Sequence, residues 1–259
     1  MDGLGHTGSL GVFGADAAAL ALAGLERAQP LRARLSAISG MGYRWVHLDA
    51  SDPECRAREL TRSARRDLAA TLRRDEVRFA GLDLWIPAPH FIEPATADRA
   101  MAAALGAIEL AAELAELAEG RAVVALTLPT GEEAAGVTEI LAATAGDAGC
   151  VVADYASPEV EGGVSHEAIG VGFDPAGMMM ARGLEVDLGR AVAACKGRLG
   201  DARLTDASEI GRVAPGAGRL DALSYTVALT AAGYTGPVVV DLRGVREAED
   251  AAQRVIARV

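Results

Sequence analysis

The feature that most limits what this chain can fold into is a regular alternation of short apolar runs with longer stretches rich in Ala, Leu, Glu and Arg. Strands are predicted at Ser9–Phe13, Arg44–Leu48, Phe79–Leu84, Ala122–Leu128, Cys150–Ala153, Ile169–Phe173, Ala202–Thr205 and Pro237–Val240. Several are apolar without interruption, as expected of strands covered on both faces in a parallel sheet; a one-sided sheet would alternate in and out. Helical patterns fall between them, at about Leu31–Ser39, Glu54–Arg74, Thr96–Ala118, Glu132–Ala145, Val186–Arg198, Leu220–Ala232 and Val245–Ala257. Repeated strand–helix units imply right-handed crossovers. Eight strands in 259 residues therefore predict an α/β fold, one parallel (β/α)8 barrel domain spanning 1–259. The weak unit is SPEVEGGVSHEA, 157–168, too short and glycine-rich for a full helix. A loop or single turn is expected there, leaving the helix ring incomplete after the fifth strand.

Charge and cysteine usage narrow the function. A formal net charge of -11 disfavours nucleic acid and anionic membranes as partners, because both demand a positive footprint. No apolar run reaches the roughly 18 residues of a membrane span, and the start of the chain lacks a cationic region followed by a hydrophobic one, so a cytoplasmic protein is expected. Cys55, Cys150 and Cys195 stand at wide, unrelated spacings and are expected to be free thiols. No glycine motif leads from a strand into a helix in the dinucleotide-binding pattern, and neither a P-loop nor a GxSxG is present, so no nucleotide cofactor is predicted. The glycines of GAGRLD, 216–221, do allow backbone amides to approach an anion closely. The expected partner is a small molecule, with the Ala-rich helices as the candidate surface for a homodimer.

In a barrel, chemistry belongs at the C-terminal ends of the strands. His47 and Asp49 stand at or after the second strand; Asp83, Trp85 and His90 stand at or after the third. Asp154 and Tyr155 follow the fifth, Asp174 the sixth, Arg203 and Asp206 the seventh, and Asp241 and Arg243 the eighth. Aspartates at strand ends often cap the next helix. Four on consecutive strands point more to a shared polar site. His47 and His90 are candidate acid/base or binding groups, and Trp85 and Tyr155 are candidate platforms for a sugar ring.

The segments GMGYRWVHLDAS, GFDPAG, ARLTDAS, APGAGRLD and VVVDLRG resemble, in order and spacing, elements of the xylose isomerase-like barrels. This is the sugar phosphate isomerase/epimerase group, related to the family 2 AP endonucleases. The resemblance implies a TIM barrel and a small carbohydrate substrate. It also implies a divalent metal held by a Glu after the fifth strand, the Asp after the sixth, a His in the seventh and a Glu after the eighth, the two glutamates forming the acid/base pair.

In this sequence those positions read Asp154, Asp174, Arg203 and Asp241, and the second histidine of the sixth-strand element falls on Gly177. The metal site is thus degenerate. Arginine has no lone pair for a metal and keeps its charge. Two arrangements are expected. In one, Arg203 replaces the ion within a network of Asp154, Asp174 and Asp241. In the other, those three aspartates hold Mg2+ or Mn2+, as oxygen ligands suit. Two function classes follow: an isomerase or epimerase that moves a proton beside a carbonyl with Asp154 and Asp241, or a non-catalytic barrel that binds a sugar or a partner protein. Tyr155, Asp206 and Arg243 would contact substrate alongside His47, Trp85, His90 and Arg203.

Overall fold

A computed structural model describes residues 15–156 and 166–258. Eight parallel strands close into a barrel: β1 (Ala18–Ala21), β2 (Trp45–Asp49), β3 (Arg78–Asp83), β4 (Val123–Leu126), β5 (Val151–Asp154), β6 (Ile169–Phe173), β7 (Leu199–Leu204) and β10 (Val238–Val240). Closure runs through β1, whose Ala19 pairs with Val239 on one side and Trp45 on the other. The expected strand at Ser9–Phe13 lies outside the described residues, and the first position in the barrel is held by Ala18–Ala21. Alanine prefers helix. Here two flanking strands supply ladder partners for its backbone, and tertiary pairing overrides that preference.

Helices α1 (Leu31–Met41), α2 (Arg62–Arg74), α3 (Ala97–Leu117), α4 (Ala135–Ala148), α7 (Ala222–Ala231) and α8 (Ala248–Ile256) follow β1, β2, β3, β4, β7 and β10 in the chain. Two helices follow β6: α5 (Pro175–Arg182), which the sequence reading did not foresee, and α6 (Leu188–Ala194). Most of the expected loop after β5 lies outside the described residues. A hairpin of β8 (Asp206–Ser208) and β9 (Gly211–Val213) stands on top of the barrel after β7. No described helix is long and apolar enough to cross a membrane. The three cysteines are free thiols, and all three, Cys55 included, are buried.

Outward-facing strand residues such as Leu20, Val46, Leu48, Leu82, Val124, Val152, Ala202 and Val240 pack on the helices in one continuous apolar layer. The inward face differs from an ordinary barrel core of stacked branched aliphatics. Ala19, Ala21, Ala80 and Val239 form a small apolar cluster. His47, Asp83, Asp201 and Arg203 are each fully buried in the remaining interior. That ionic interior sets up the site above it.

Candidate active site

β7 reads L-G-D-A-R-L, and strand periodicity sends Asp201 and Arg203 to the same side, into the barrel. Arg203 Nη2 donates to Asp83 Oδ1 at 2.6 Å and lies 2.9 Å from Asp201 Oδ2. Arg203 Nε donates to the Tyr155 hydroxyl at 2.9 Å, and that hydroxyl donates to Asp201 Oδ2 at 2.6 Å. His47 completes the group, with Nδ1 3.0 Å from Asp83 Oδ1 and Nε2 3.7 Å from Asp201 Oδ1. Burial alone would raise both carboxyls, but Arg203 and His47 hold Asp83 well below the usual carboxylate range, and Arg203 and His47 likewise lower Asp201. Burial and the neighbouring carboxylate of Asp201 push the Tyr155 phenol far up, so it stays a neutral bridge.

Above this group a cavity of about 330 Å3 opens at the C-terminal ends of the strands, within the size range of small-ligand sites. Its wall includes Trp85, Thr127, Tyr155, Asp174, Arg212 and Arg243. Asp174 is the carboxylate on that wall. It ion-pairs with Arg212 Nη2 and accepts from the Thr205 hydroxyl at 2.6 Å. It does not cap α5. Thr205 takes that place by accepting the Ala176 amide at 3.0 Å. A Cβ on Gly177 would stand 2.8 Å from Asp174 Oδ2, so the glycine found where the resemblance expects histidine leaves room for this orientation. Arg243 Nη2 lies 2.5 Å from Asp241 Oδ2, and its guanidinium stacks on Trp85 at 3.7 Å from the ring centroid. Trp85 and Tyr155 meet edge to face at 5.3 Å. A second cavity, around Trp45 and Arg78 at the opposite end of the barrel, lies away from the strand ends where barrel chemistry is sited.

The expected site residues therefore separate. Trp85, Tyr155, Asp174 and Arg243 share the cavity. Arg203 lies beneath it, paired with Asp83 and with Asp201, which stands two residues before it on β7 and so points to the same side of the strand; the expected network named Asp154, Asp174 and Asp241. His47 is not at the mouth; it sits mid-strand on β2, wholly buried within that ion cluster. His90 is on a 3-10 turn at Ala88–Phe91 and does not line the cavity.

Asp154 turns to its own loop, where Oδ1 accepts the amides of Leu128 and Ala156 at 2.9 Å each. Burial raises its carboxyl above the usual range, against the pull of those amides. Asp206 turns to its own loop too. Its carboxylate accepts amides from Ala207 (2.8 Å), Gly216 (3.0 Å), Gly218 (2.8 Å) and Leu220 (2.8 Å). The glycine segment that looked suited to an external anion thus binds the protein's own carboxylate. Asp201, Thr205 and Arg212 were missed. The period-2 pattern of β7 could have found the first two; nothing in the sequence signalled the hairpin that carries Arg212.

The strand-end aspartates do not fit a divalent ion. Asp174 is matched by Arg212 and Thr205, Asp241 by Arg243, and Asp154 by two amides, while a guanidinium fills the barrel beneath them. Among the described residues no three His, Cys, Asp or Glu side chains converge as a metal site requires. The ionic partners present are arginines.

No family model and no curated protein sequence matches this chain. Solved structures do match in fold. A D-psicose 3-epimerase from Clostridium cellulolyticum H10, solved with D-tagatose, is 15% identical over 93% of this chain and 96% of its own, with a TM-score of 0.72. A xylose isomerase domain protein from Planctomyces limnophilus is 15% identical over 94% of this chain and 93% of its own, with a TM-score of 0.69. An IOLI protein with a bound zinc atom is 17% identical over 93% of this chain and 95% of its own, with a TM-score of 0.71. The chain has the barrel fold of the xylose isomerase-like proteins, as the sequence resemblance implied.

Proposed function

We propose that this barrel binds a small carbohydrate derivative at its mouth and moves a proton beside the carbonyl, as sugar isomerases and epimerases do. One observation carries the reading: a strand-end carboxylate, Asp174, and two guanidiniums, Arg212 and Arg243, face a single sugar-sized cavity. The fold neighbours that act on D-psicose and bind D-tagatose support the substrate class.

In this reading Asp174 takes the proton from the carbon next to the carbonyl. The electron pair moves onto the carbonyl oxygen, and the resulting enediolate is stabilised by the fixed positive charge of Arg212 and Arg243. A proton, partly exchanged with solvent while on Asp174, returns to the former carbonyl carbon as the hydroxyl proton of the first carbon passes to the former carbonyl oxygen, so that the carbonyl moves by one carbon and the isomer forms. Asp154, off the cavity wall and held by the Leu128 and Ala156 amides, keeps its loop in place in this reading and carries no proton. Both oxygens of Asp241 receive Arg243 Nε, at 3.0 and 2.9 Å, so Asp241 positions that guanidinium rather than touching substrate. No step passes through a metal ion.

A second reading, binding without turnover, is favoured by a specific observation: Asp174 and Asp241 are already in ion pairs. Aldose–ketose and epimer pairs incubated in D2O, with and without Mn2+, separate the two. Deuterium entering the substrate, and lost in Asp174→Asn, is the expected result. Binding with no exchange on any pair favours the second reading. Exchange that survives Asp174→Asn removes the acid/base assignment.

A further inference from the structure

Among the described residues, three α-helices begin behind an aspartate. Asp187 before α6 and Asp221 before α7 accept the amide three residues on, from Arg190 at 2.9 Å and Ser224 at 3.0 Å, which is the ordinary use of Asp at that position. Asp174 stands in the same place before α5, yet its side chain makes no such bond. The hydroxyl of Thr205, directly after β7, accepts the Ala176 amide instead, at 3.0 Å. A hydroxyl has a single proton to give. That of Thr205 goes to Asp174 Oδ1, 2.6 Å away, and the direction is fixed, because an amide N–H cannot accept. Thr205 is 1% exposed, so bulk water offers no ready substitute for either bond.

We infer that Thr205 is the positioning residue of this site: by serving the start of α5 in place of Asp174, and by donating to Oδ1, it keeps that carboxylate turned to the cavity. The first amides of its own helix are the nearest competing partners of an aspartate so placed. Without the Thr205 hydroxyl the buried Ala176 amide would have no acceptor, a penalty that Asp174 relieves by turning back onto the helix. The carboxylate would then part from Arg212 and leave the cavity wall. The consequence for proton transfer rests on the reading above, in which Asp174 is the base; the orientation of Asp174 does not depend on it.

Crystal structures of Thr205→Val and Thr205→Ser, with deuterium exchange into the aldose–ketose and epimer pairs followed on the wild type, both variants and Asp174→Asn, test this. Thr205→Val keeps the shape of the side chain and neither bond. In it Asp174 should accept an α5 amide and part from Arg212, and kcat for exchange should fall about tenfold to a hundredfold with KM within about threefold of wild type. Thr205→Ser keeps the hydroxyl and should keep both the orientation of Asp174 and the wild-type kcat, whereas a merely structural Thr205 would move Tm and not kcat. Should Thr205→Val fail to fold, Thr205→Cys, a weaker donor and acceptor, should show a smaller change in the same direction. Asp174 still paired with Arg212 in Thr205→Val, or kcat unchanged there while Asp174→Asn abolishes exchange, overturns the inference and leaves the proton-transfer reading standing. Serine losing as much as valine overturns it as well. No exchange by the wild type on any pair overturns the proton-transfer reading, and the orientation of Asp174 in Thr205→Val then decides the inference alone.

Discussion

Two arginine–aspartate clusters lie one above the other in this barrel, and they differ in their access to water. In the interior, Arg203, Asp83 and Asp201 are wholly buried, and every guanidinium nitrogen has a protein partner. At the mouth, the Arg212 and Asp174 side chains are 22% and 16% exposed, Arg243 is 30% exposed, and one Arg212 nitrogen has no partner. The same pair of residue types serves as internal framework in one place and as cavity wall in the other. Burial decides which. A desolvated charge must find its counter-charge within the protein, as Arg203 does even though Asp201 Oδ1 and His47 Nε2 beside it accept or donate no hydrogen bond, whereas a pair at the solvent boundary can also be served by water.

The largest effect is expected from Arg203→Met. It leaves Asp83 and Asp201 buried without their cation and should cost about 3–5 kcal/mol in urea unfolding. Adding Asp83→Asn and Asp201→Asn to Arg203→Met should recover much of that loss; if it does not, the interior cluster is not held by charge balance. Gly172→Ala comes next. Its Cβ would fall 2.2 Å from the Tyr155 ring, displacing the phenol that bridges Asp201 and Arg203. Overpacking of this kind costs about 1–3 kcal/mol, and a variant as stable as wild type would show that the bridge is dispensable.

Acid should then separate the clusters. Asp83 and Asp201 sit below their unfolded values, so their contribution is full above an unfolded Asp pKa of about 4 and is lost as pH falls through the lower folded values. Unfolding free energy measured between about pH 6 and pH 3 should drop below about pH 4, and the drop should shrink in the Arg203→Met, Asp83→Asn, Asp201→Asn triple variant. Arg212→Gln should have the smallest effect on stability, within about 1 kcal/mol, as for partly exposed pairs generally. A loss as large as that of Arg203→Met would erase the distinction between framework and wall.

The barrel was legible in the sequence because buried parallel strands and amphipathic helices leave strong, opposite patterns; seven of the eight barrel strands overlap expected runs, as at Ile169–Phe173 and Val238–Val240. Ala18–Ala21 left no such pattern, since its strand state comes from neighbours far away in the chain. Helix α5 opens with Pro175 directly after Asp174, a helix-start signal masked by the glycine and methionines that follow. The site was half legible. Strand-end position put Asp174, Trp85, Tyr155 and Arg243 at the mouth. The contact of Arg203 with Asp83 spans 120 residues, and no local pattern encodes such a choice of partner.

The clamp at Asp206 also isolates the hairpin. One carboxylate gathers the amides that open and close the segment from Ala207 to Leu220, so this stretch is tied off from the barrel like a cassette. Its tip is fully turned to solvent, with Ile210 92% exposed, while Arg212 on its returning strand reaches the cavity. Changes in length or residue type between Ser208 and Val213 can therefore retune what the cavity accepts while the eight-stranded frame goes on folding as before.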